Sequence, residues 1–328
     1  MAVAPELVER FRADLTALWL DIDEPDVKLG VALSGGPDSL ALLLLAHAAL
    51  PGRVEAATVD HGLRPESANE ASQAAAICEA LAIPHAVLRV TVAPGNLQSE
   101  ARLARHRALA DWAEERGVET LCTAHHREDQ VETMLMRLNR GSGLSGLAGI
   151  RPAGLAPESD LVVLRPLLSW SRATLEQVVE ASEFEAVQDP SNADRAYDRV
   201  RMRQALANAD WIDRDCVARS AQVLADMEDC ILGLAAEDLD LAGEFSDERV
   251  SYRPLERSAV YRPSIWAEVI LQVFEHLDRT ISRSDAVRMA ESLMDGQPLN
   301  VGGVHASTRG TDRETVWTFA PENPRRTG

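Results

Sequence analysis

The apolar and polar positions in the first two-thirds of this chain form short hydrophobic runs that alternate with helical patterns. Residues 27–34 read as a strand running into a glycine turn and a leucine-rich helix over 38–50. A second strand over 54–60 precedes an alanine-rich helix near 66–81. A third over 86–92 precedes a helix over 98–116 that carries arginines. A fourth over 120–124 leads into a helix over 129–140, and a fifth over 162–168 into a helix from 172 to about 182. Strict alternation predicts right-handed crossovers and a parallel sheet covered on both faces, with ligands at the carboxyl ends of its strands.

After Asp189 the pattern changes. Residues 195–208 read as an arginine-rich helix and 213–241 as a long, mainly helical stretch. Two further helical patterns cover 265–276 and 283–294, and the chain closes on a hairpin of 299–307 with 314–319. The expected organisation is an α/β parallel-sheet domain over 1–212, a helical acidic linker over 213–243, and a small α+β domain over 244–328. Between Asp226 and Glu248 there are acids and no base, which predicts a solvated helix face. No internal repeat or low-complexity segment is present.

Length and composition fit this picture: 328 residues exceed one compact core, and 46% hydrophobic with 26% charged residues is ordinary for a globular protein. The charge is lopsided, with 33 bases against 52 acids giving −19. That excludes a nucleic-acid binder working by bulk positive charge and argues against docking on an anionic membrane; it leaves room for a local cationic patch. Residues 1–194 hold 16 bases and 29 acids, 195–219 six and four, and 220–328 eleven and 19, so the middle stretch alone is positive. Lys28 is the only lysine; every other fixed cation is arginine, whose planar fork suits phosphate and carboxylate. Four cysteines without a CxxC pair do not form a disulfide framework. The longest apolar run, 40–50, is too short to span a bilayer and contains His47. Acids at Glu6, Glu9 and Asp14 do not read as a signal peptide, and the expected compartment is the cytoplasm.

The candidate chemistry centres on Ser34-Gly35-Gly36-Pro37-Asp38-Ser39, between the first strand and its helix. Two glycines let the backbone approach a ligand, and the helix start offers unpaired N–H groups to an anion. Ser34 and Ser39 add hydroxyls, Pro37 pre-sets the turn, and Asp38 can hold a magnesium ion bridging phosphate oxygens. This phosphate cradle is not a Walker A loop, because no lysine follows it. A second glycine pattern, Gly141-Ser142-Gly143-Leu144-Ser145-Gly146, matches G-x-G-x-x-G but follows a helix, so it reads as a loop able to close over substrate. Cys122-x-x-His125-His126 has no second pair to complete a zinc site.

SGGPDS is the signature of PP-loop ATP pyrophosphatases, which cleave ATP to AMP and pyrophosphate. With VDHGLRPES (59–67), ARLARHRAL (101–109), TAHHREDQVETMLMRLNRGSGLSGLAGI (123–150) and DPSNADRAYDRVRMR (189–203), the chain resembles the tRNA(Ile)-lysidine synthetase family. The resemblance is dense over about 27–210 and looser beyond. It implies ligation of free lysine to C2 of the wobble cytidine of a CAU-anticodon isoleucine tRNA. AMP is first transferred to the cytosine oxygen, making a leaving group of it. ATP, Mg2+, lysine and tRNA(Ile) are the implied substrates and partners.

The resemblance also assigns candidate residues. Ser34 to Ser39 form the cradle, with Asp38 the metal ligand; Asp60 and His61 close the second strand where adenosine is expected. His125 and Asp129 stand four apart at the start of a helix, where one helical face would bring them to the same substrate atom or metal. His125 is assigned proton transfer or phosphate contact, and Asp129 metal binding or activation of the amine. Asp129 also reads as a helix N-cap, and His126 as a packed core imidazole. Arg102 and Arg105 lie where the family places arginines near the ATP phosphates. Arg199, Arg201 and Arg203 form a second cluster, and Arg137 and Arg140 precede the glycine loop. Such guanidinium groups neutralise phosphate or stack on an unpaired base, although exposed helix arginines commonly only solvate a face.

Two positions depart from the family pattern: His106 stands where tyrosine is usual, and Val200 where many members have asparagine. Two other readings share the cradle. A PP-loop tRNA thiolase or amidating synthetase would commonly need a cysteine pair or an ammonia source, and neither is evident. A catalytically inactive RNA-binding scaffold would be expected to have lost Asp38, His125 or Asp129, and all three are present.

Overall fold

A computed structural model describes residues 3–60, 62, 67–91, 97–187, 198–246, 248–254, 264–310 and 315–322. The chain divides into two compact units, Met1–Val223 and Leu224–Gly328.

The first unit opens on a helix that the strand–helix alternation does not predict, α1 (Pro5–Thr16), started by Pro5 and burying Phe11 and Leu15. Strand β1 (Leu29–Ala32) leads into α2 (Pro37–Ala49), β2 (Val54–Asp60) into α3 (Ser67–Ala80), and β3 (His85–Arg89) into α4 (Leu97–Arg116). Next come β4 (Thr120–Cys122), α5 (Arg127–Leu138), the short α6 (Leu144–Leu147), β5 (Ala153–Leu155), β6 (Val162–Leu164), α7 (Arg172–Glu180) and α8 (Asp198–Ala207). The sheet order is β3-β2-β1-β4-β6-β5. All pairs are parallel except β5 with β6, an edge hairpin that the apolar pattern did not show. Strand β6 is shorter than the expected 162–168: Arg165 N–H still donates to Pro152 O in the β5–β6 register, and Pro166 has no N–H to carry the ladder further.

Helix α2 is buried from Ser39 to Ala46, because α1 and α7 pack on it as well as the sheet. That is why it shows no amphipathic stripe. The first five residues of β2 are buried without alternation, as expected for a strand covered on both faces. At the amino end of the sheet, Glu55 on β2 is gripped by two cations, Lys28 Nζ at 2.8 Å and Arg116 Nε at 2.7 Å.

The division between units falls within α9 (Arg214–Ala242). The second unit continues with β7 (Gly243–Ser246), β8 (Arg249–Tyr252), α10 (Ser264–His276), α11 (Arg283–Met294), β9 (Leu299–Val301), β10 (Val304–Arg309) and β11 (Val316–Pro321). Its sheet, β7-β8-β11-β10-β9, is antiparallel throughout. Its core holds Trp266 and Trp317 edge to face at 5.5 Å between ring centroids. The segment expected as one hairpin arm, 299–307, is itself a hairpin, broken at Gly302-Gly303. The acidic stretch is not solvated throughout: Asp238 and Glu228 are buried, and Ala235 and Leu239 join the core. No described helix is long and apolar enough to cross a membrane.

Candidate active site

From β1 the chain steps outward to β2 and β3, then returns to place β4 on β1's other side, with Val31 opposite Cys122. The carboxyl ends of β1 and β4 therefore flank the point where strand order reverses, the place where sheets of this kind bind ligands. SGGPDS leaves β1 there and TAHH leaves β4. A long-range juxtaposition thus follows from topology.

The cradle is internally braced. Ser39 Oγ accepts from Ser34 N–H at 3.2 Å, lies 3.0 Å from Ser34 Oγ, and donates to Gly36 O at 2.9 Å. Gly35 has φ +82, and a Cβ there would stand 3.2 Å from Val187 Cγ2; Val187 N–H in turn donates to Gly35 O. Gly36 is the N-cap of α2 with no side-chain cap, and Pro37 occupies the first turn. The start of the helix thus keeps the open, positively polarised character that favours an anion.

Asp38, in the same turn, reaches across to His126, whose Nε2 lies 3.5 Å from Asp38 Oδ2. The other oxygen, Asp38 Oδ1, is buried without a hydrogen-bond partner. Burial would raise the Asp38 pKa. The His126 contact and the charges of His126, Arg172 and Arg203 outweigh it and hold the carboxyl below the usual range.

His126 corrects two expectations. It is 1% exposed, yet it is no packed core imidazole: it is the N-cap of α5, surrounded by carboxylates. Its backbone N–H donates to Asp129 Oδ2 at 3.0 Å, so Asp129 closes the capping box from the third helical position and is not itself the N-cap. Burial alone would lower the imidazole pKa. Hydrogen bonds to Asp38 and Glu128, with the charges of Asp129 and Asp38, push it up to about 9. In the protonated ring Nδ1–H donates to Glu128 Oε2 at 3.0 Å; the capping contact from Glu128 N–H to the same atom, at 3.2 Å, belongs to the neutral ring. Glu128 Oε2 also accepts from Arg172 N–H at 2.9 Å, and Glu128 is pulled down to about 2 despite burial.

His125 precedes that cap, so the shared helical face proposed for His125 and Asp129 does not exist. They are near one another all the same. Burial lowers the His125 pKa to about 4; Asp129 opposes this, and Arg165, Arg199 and Arg102 reinforce it. His125 is therefore a neutral imidazole at pH 7, with Nδ1 3.0 Å from Thr123 Oγ1.

Of the arginine clusters, Arg199 and Arg203 enter the site. Arg199 Nη2 donates to Asp129 Oδ1 at 3.1 Å and its Nε to Glu132 Oε2 at 3.0 Å; Arg203 Nε donates to Glu132 Oε1 at 2.8 Å. Glu132, only 2% exposed at its side chain, is the buried anchor of α8 on α5 and is not among the residues that the motifs single out. Arg201 and Arg140 instead share Asp198. Arg137 holds the glycine loop, donating to Gly146 O at 2.9 Å and Gly149 O at 3.1 Å. That loop is helical from Leu144, with Gly143 its N-cap.

Arg102 and Arg105 lie together on α4 beside His106. Burial and the charges of Arg102, Arg105 and Arg165 lower the His106 pKa to about 4. Asp60 ends β2 and accepts from Gly62 N–H at 2.9 Å. His61 lies outside the described residues, as do residues 189–197 of the arginine motif. Cys78 and Cys122 are buried, Cys216 and Cys230 exposed. No group of three metal-ligating side chains stands together among the described residues.

The model of the PP-loop domain matches residues 7–210. A tRNA(Ile)-lysidine synthase of Novosphingobium aromaticivorans is 43% identical over 96% of this chain and 94% of its own length. One of Zymomonas mobilis is 46% identical over 84% of each. Among solved structures, the U34-tRNA thiolase NcsA of Methanococcus maripaludis, with its [4Fe-4S] cluster, covers 67% of this chain and 79% of its own with a TM-score of 0.56. At 16% identity that likeness concerns the fold alone. A cradle and a capped helix brought together at the sheet's switch point, with identity sustained along nearly the whole length, place this chain in the tRNA(Ile)-lysidine synthase family of PP-loop proteins.

Proposed function

We propose that this protein is an ATP-dependent ligase. It joins the ε-amine of free lysine to C2 of the wobble cytidine of a CAU-anticodon tRNA(Ile), through an adenylated cytidine, and releases AMP and pyrophosphate. The observation that carries this reading is the meeting of Asp38, His126 and Asp129 at the carboxyl ends of β1 and β4, in a chain with family identity over nearly its whole length.

The cytosine oxygen is a poor leaving group, and transfer of AMP onto it makes departure possible. Ser34, Gly35, Gly36 and Ser39 with the first turn of α2 would hold the pyrophosphate portion of ATP. The buried, unpartnered Asp38 Oδ1 suits a hard cation with oxygen ligands, and Mg2+ bound there would neutralise phosphate charge. Asp129 is the second candidate ligand, although its oxygens already serve His126 N–H and Arg199. Arg102 lies on the helix expected near the phosphates, and Asp60 with His61 closes the end of β2 where adenosine would lie.

Lysine carries one carboxylate and two ammonium groups. The interlocked Asp129, Glu132, Arg199 and Arg203 offer both signs of charge beside the cradle. The ε-amine must lose a proton before attack. His125, whose pKa burial lowers to about 4, and Asp129 are the groups we assign to accept it or to pass it on. Contact with the tRNA body is assigned to the second unit, and the compartment to the cytoplasm.

The test incubates the protein with ATP–Mg, labelled lysine and a CAU-anticodon tRNA(Ile). The expected result is label at the wobble cytidine with AMP and pyrophosphate released; Asp38→Ala should abolish AMP formation while the circular dichroism spectrum stays unchanged. No label, beside robust labelling by a family member assayed in parallel, would sink the reading.

A further inference from the structure

Tryptophan is costly to expose, and this chain buries nearly all of its own. Of six tryptophans, Trp19, Trp112, Trp170, Trp266 and Trp317 are at most 5% exposed, whereas Trp211 is 82% exposed. Beside it, α5 and α8 leave a groove of about 780 Å³ whose wall includes Leu138, itself 54% exposed, Met202 and Ile212. An adjoining hollow shares Asn139, Met202 and Ala205 with this groove and brings Arg140 and Arg201 to its margin. Both hollows lie in the one stretch where bases outnumber acids, or on the helix packed against it.

We infer that Trp211 and this groove form a stacking platform for an unpaired base of the anticodon loop, next to the nucleotide that enters the active site. The inference rests on the proposed tRNA reading and adds a subsite to it. Base recognition in single-stranded RNA needs a flat aromatic face with cations at its edge to meet the backbone. The indole lines one hollow and two guanidinium groups line the adjoining one, so the pair of hollows provides both. The same two helices carry Asp129, Glu132, Arg199 and Arg203 at the site. From Asp129 to Leu138 is about 14 Å along α5 at 1.5 Å per residue, so a loop with one base in the site keeps its neighbours within reach. A protein partner or a second copy would be expected to meet an apolar surface with a polar rim of both signs. Here Arg140 and Arg201 share one carboxylate, Asp198, at the margin of the adjoining hollow; Asp210 and Asp213 flank Trp211, and residues 195–219 as a whole still carry six bases to four acids, which favours a polyanion.

The experiment titrates a CAU anticodon stem-loop RNA into the protein, Trp211→Ala and Trp211→Phe, following tryptophan emission and RNA binding. Wild type should be quenched on binding and Trp211→Ala should not. Affinity should fall about five- to a hundredfold in Trp211→Ala and much less in Trp211→Phe, with ATP–Mg binding unchanged in both. Full stem-loop affinity in Trp211→Ala would overturn the inference while leaving the ligase reading standing. Self-association of wild type that Trp211→Ala abolishes, with RNA affinity equal, would also overturn it in favour of a second copy. Failure of the stem-loop to bind any of the three, together with no lysine transfer, would overturn both readings.

Discussion

Glu132 holds Arg203 in a two-pronged grip, with Nε donating to Oε1 at 2.8 Å and Nη2 to Oε2 at 3.3 Å. The carboxylate is buried, while the guanidinium group remains one-third exposed. Arg199 takes a second position on the same carboxylate, so one buried acid secures both α8 arginines beside the site.

Removing this anchor should therefore be felt twice. Breaking a fully buried pair costs about 3–5 kcal/mol; because both arginines keep contact with water here, Glu132→Ala should cost about 2 kcal/mol. Lysine transfer should fall more than tenfold as α8 loosens. Urea unfolding with steady-state kinetics on the same sample checks both, and a variant of unchanged stability would show that the anchor lies elsewhere.

Gly149 sets a second expectation. Its φ is +70, and an added Cβ would stand 2.4 Å from Gln130 Oε1. The Gln130 amide cannot move away freely, since it accepts from Ile150 N–H at 2.6 Å and donates to Ile150 O at 3.1 Å. Gly149→Ala should destabilise the first unit by about 2–3 kcal/mol, the sum of backbone strain and a displaced buried amide. In a Gln130→Ala background the same change should cost about 1 kcal/mol less, which a double-mutant cycle measures directly.

His106 gives the pH dependence. Its folded pKa is depressed to about 4 from 6.5, so between these values the unfolded chain binds the extra proton. Stability from this group is complete above pH 6.5 and falls as pH drops toward 4, by up to about 1.4 kcal/mol per pH unit. His106→Tyr removes the titration, and melting curves from pH 7 to 4 should show a shallower fall than in wild type. Parallel curves would refute the assignment.

The sequence makes the parallel-sheet fold legible because each βα unit announces itself locally, by an apolar run and a turn. The edge strand β5 is exposed along its length, and neither it nor α1 belongs to that alternation. Within the site, Asp38 and the cradle are legible because their chemistry resides in one hexapeptide. His126 is not, because a second histidine beside His125 reads as filler until the capping box shows which carboxylates surround it. Glu132 did leave a signal: Asp129 and Glu132 are three apart on α5, and Arg199 and Arg203 four apart on α8. Two helix faces of opposite charge were therefore visible, but only packing shows that they meet. The acidic run after Asp226 misled for the same reason, since burial of Asp238 depends on partners distant in sequence.

Lys28 sits just before β1, at the amino end of the parallel strands, while the cradle and α5 leave from their carboxyl ends. As the sole lysine, with nearly half of its side chain open to water, it is the one side-chain amine open to amine-directed coupling, beside the α-amine of the chain. A fluorophore or a solid support attached there would hang from the end of the sheet opposite the cradle. A protein proposed to use lysine as its substrate thus keeps its own lysine side chain at the far end of the strands from the place where the free amino acid would react.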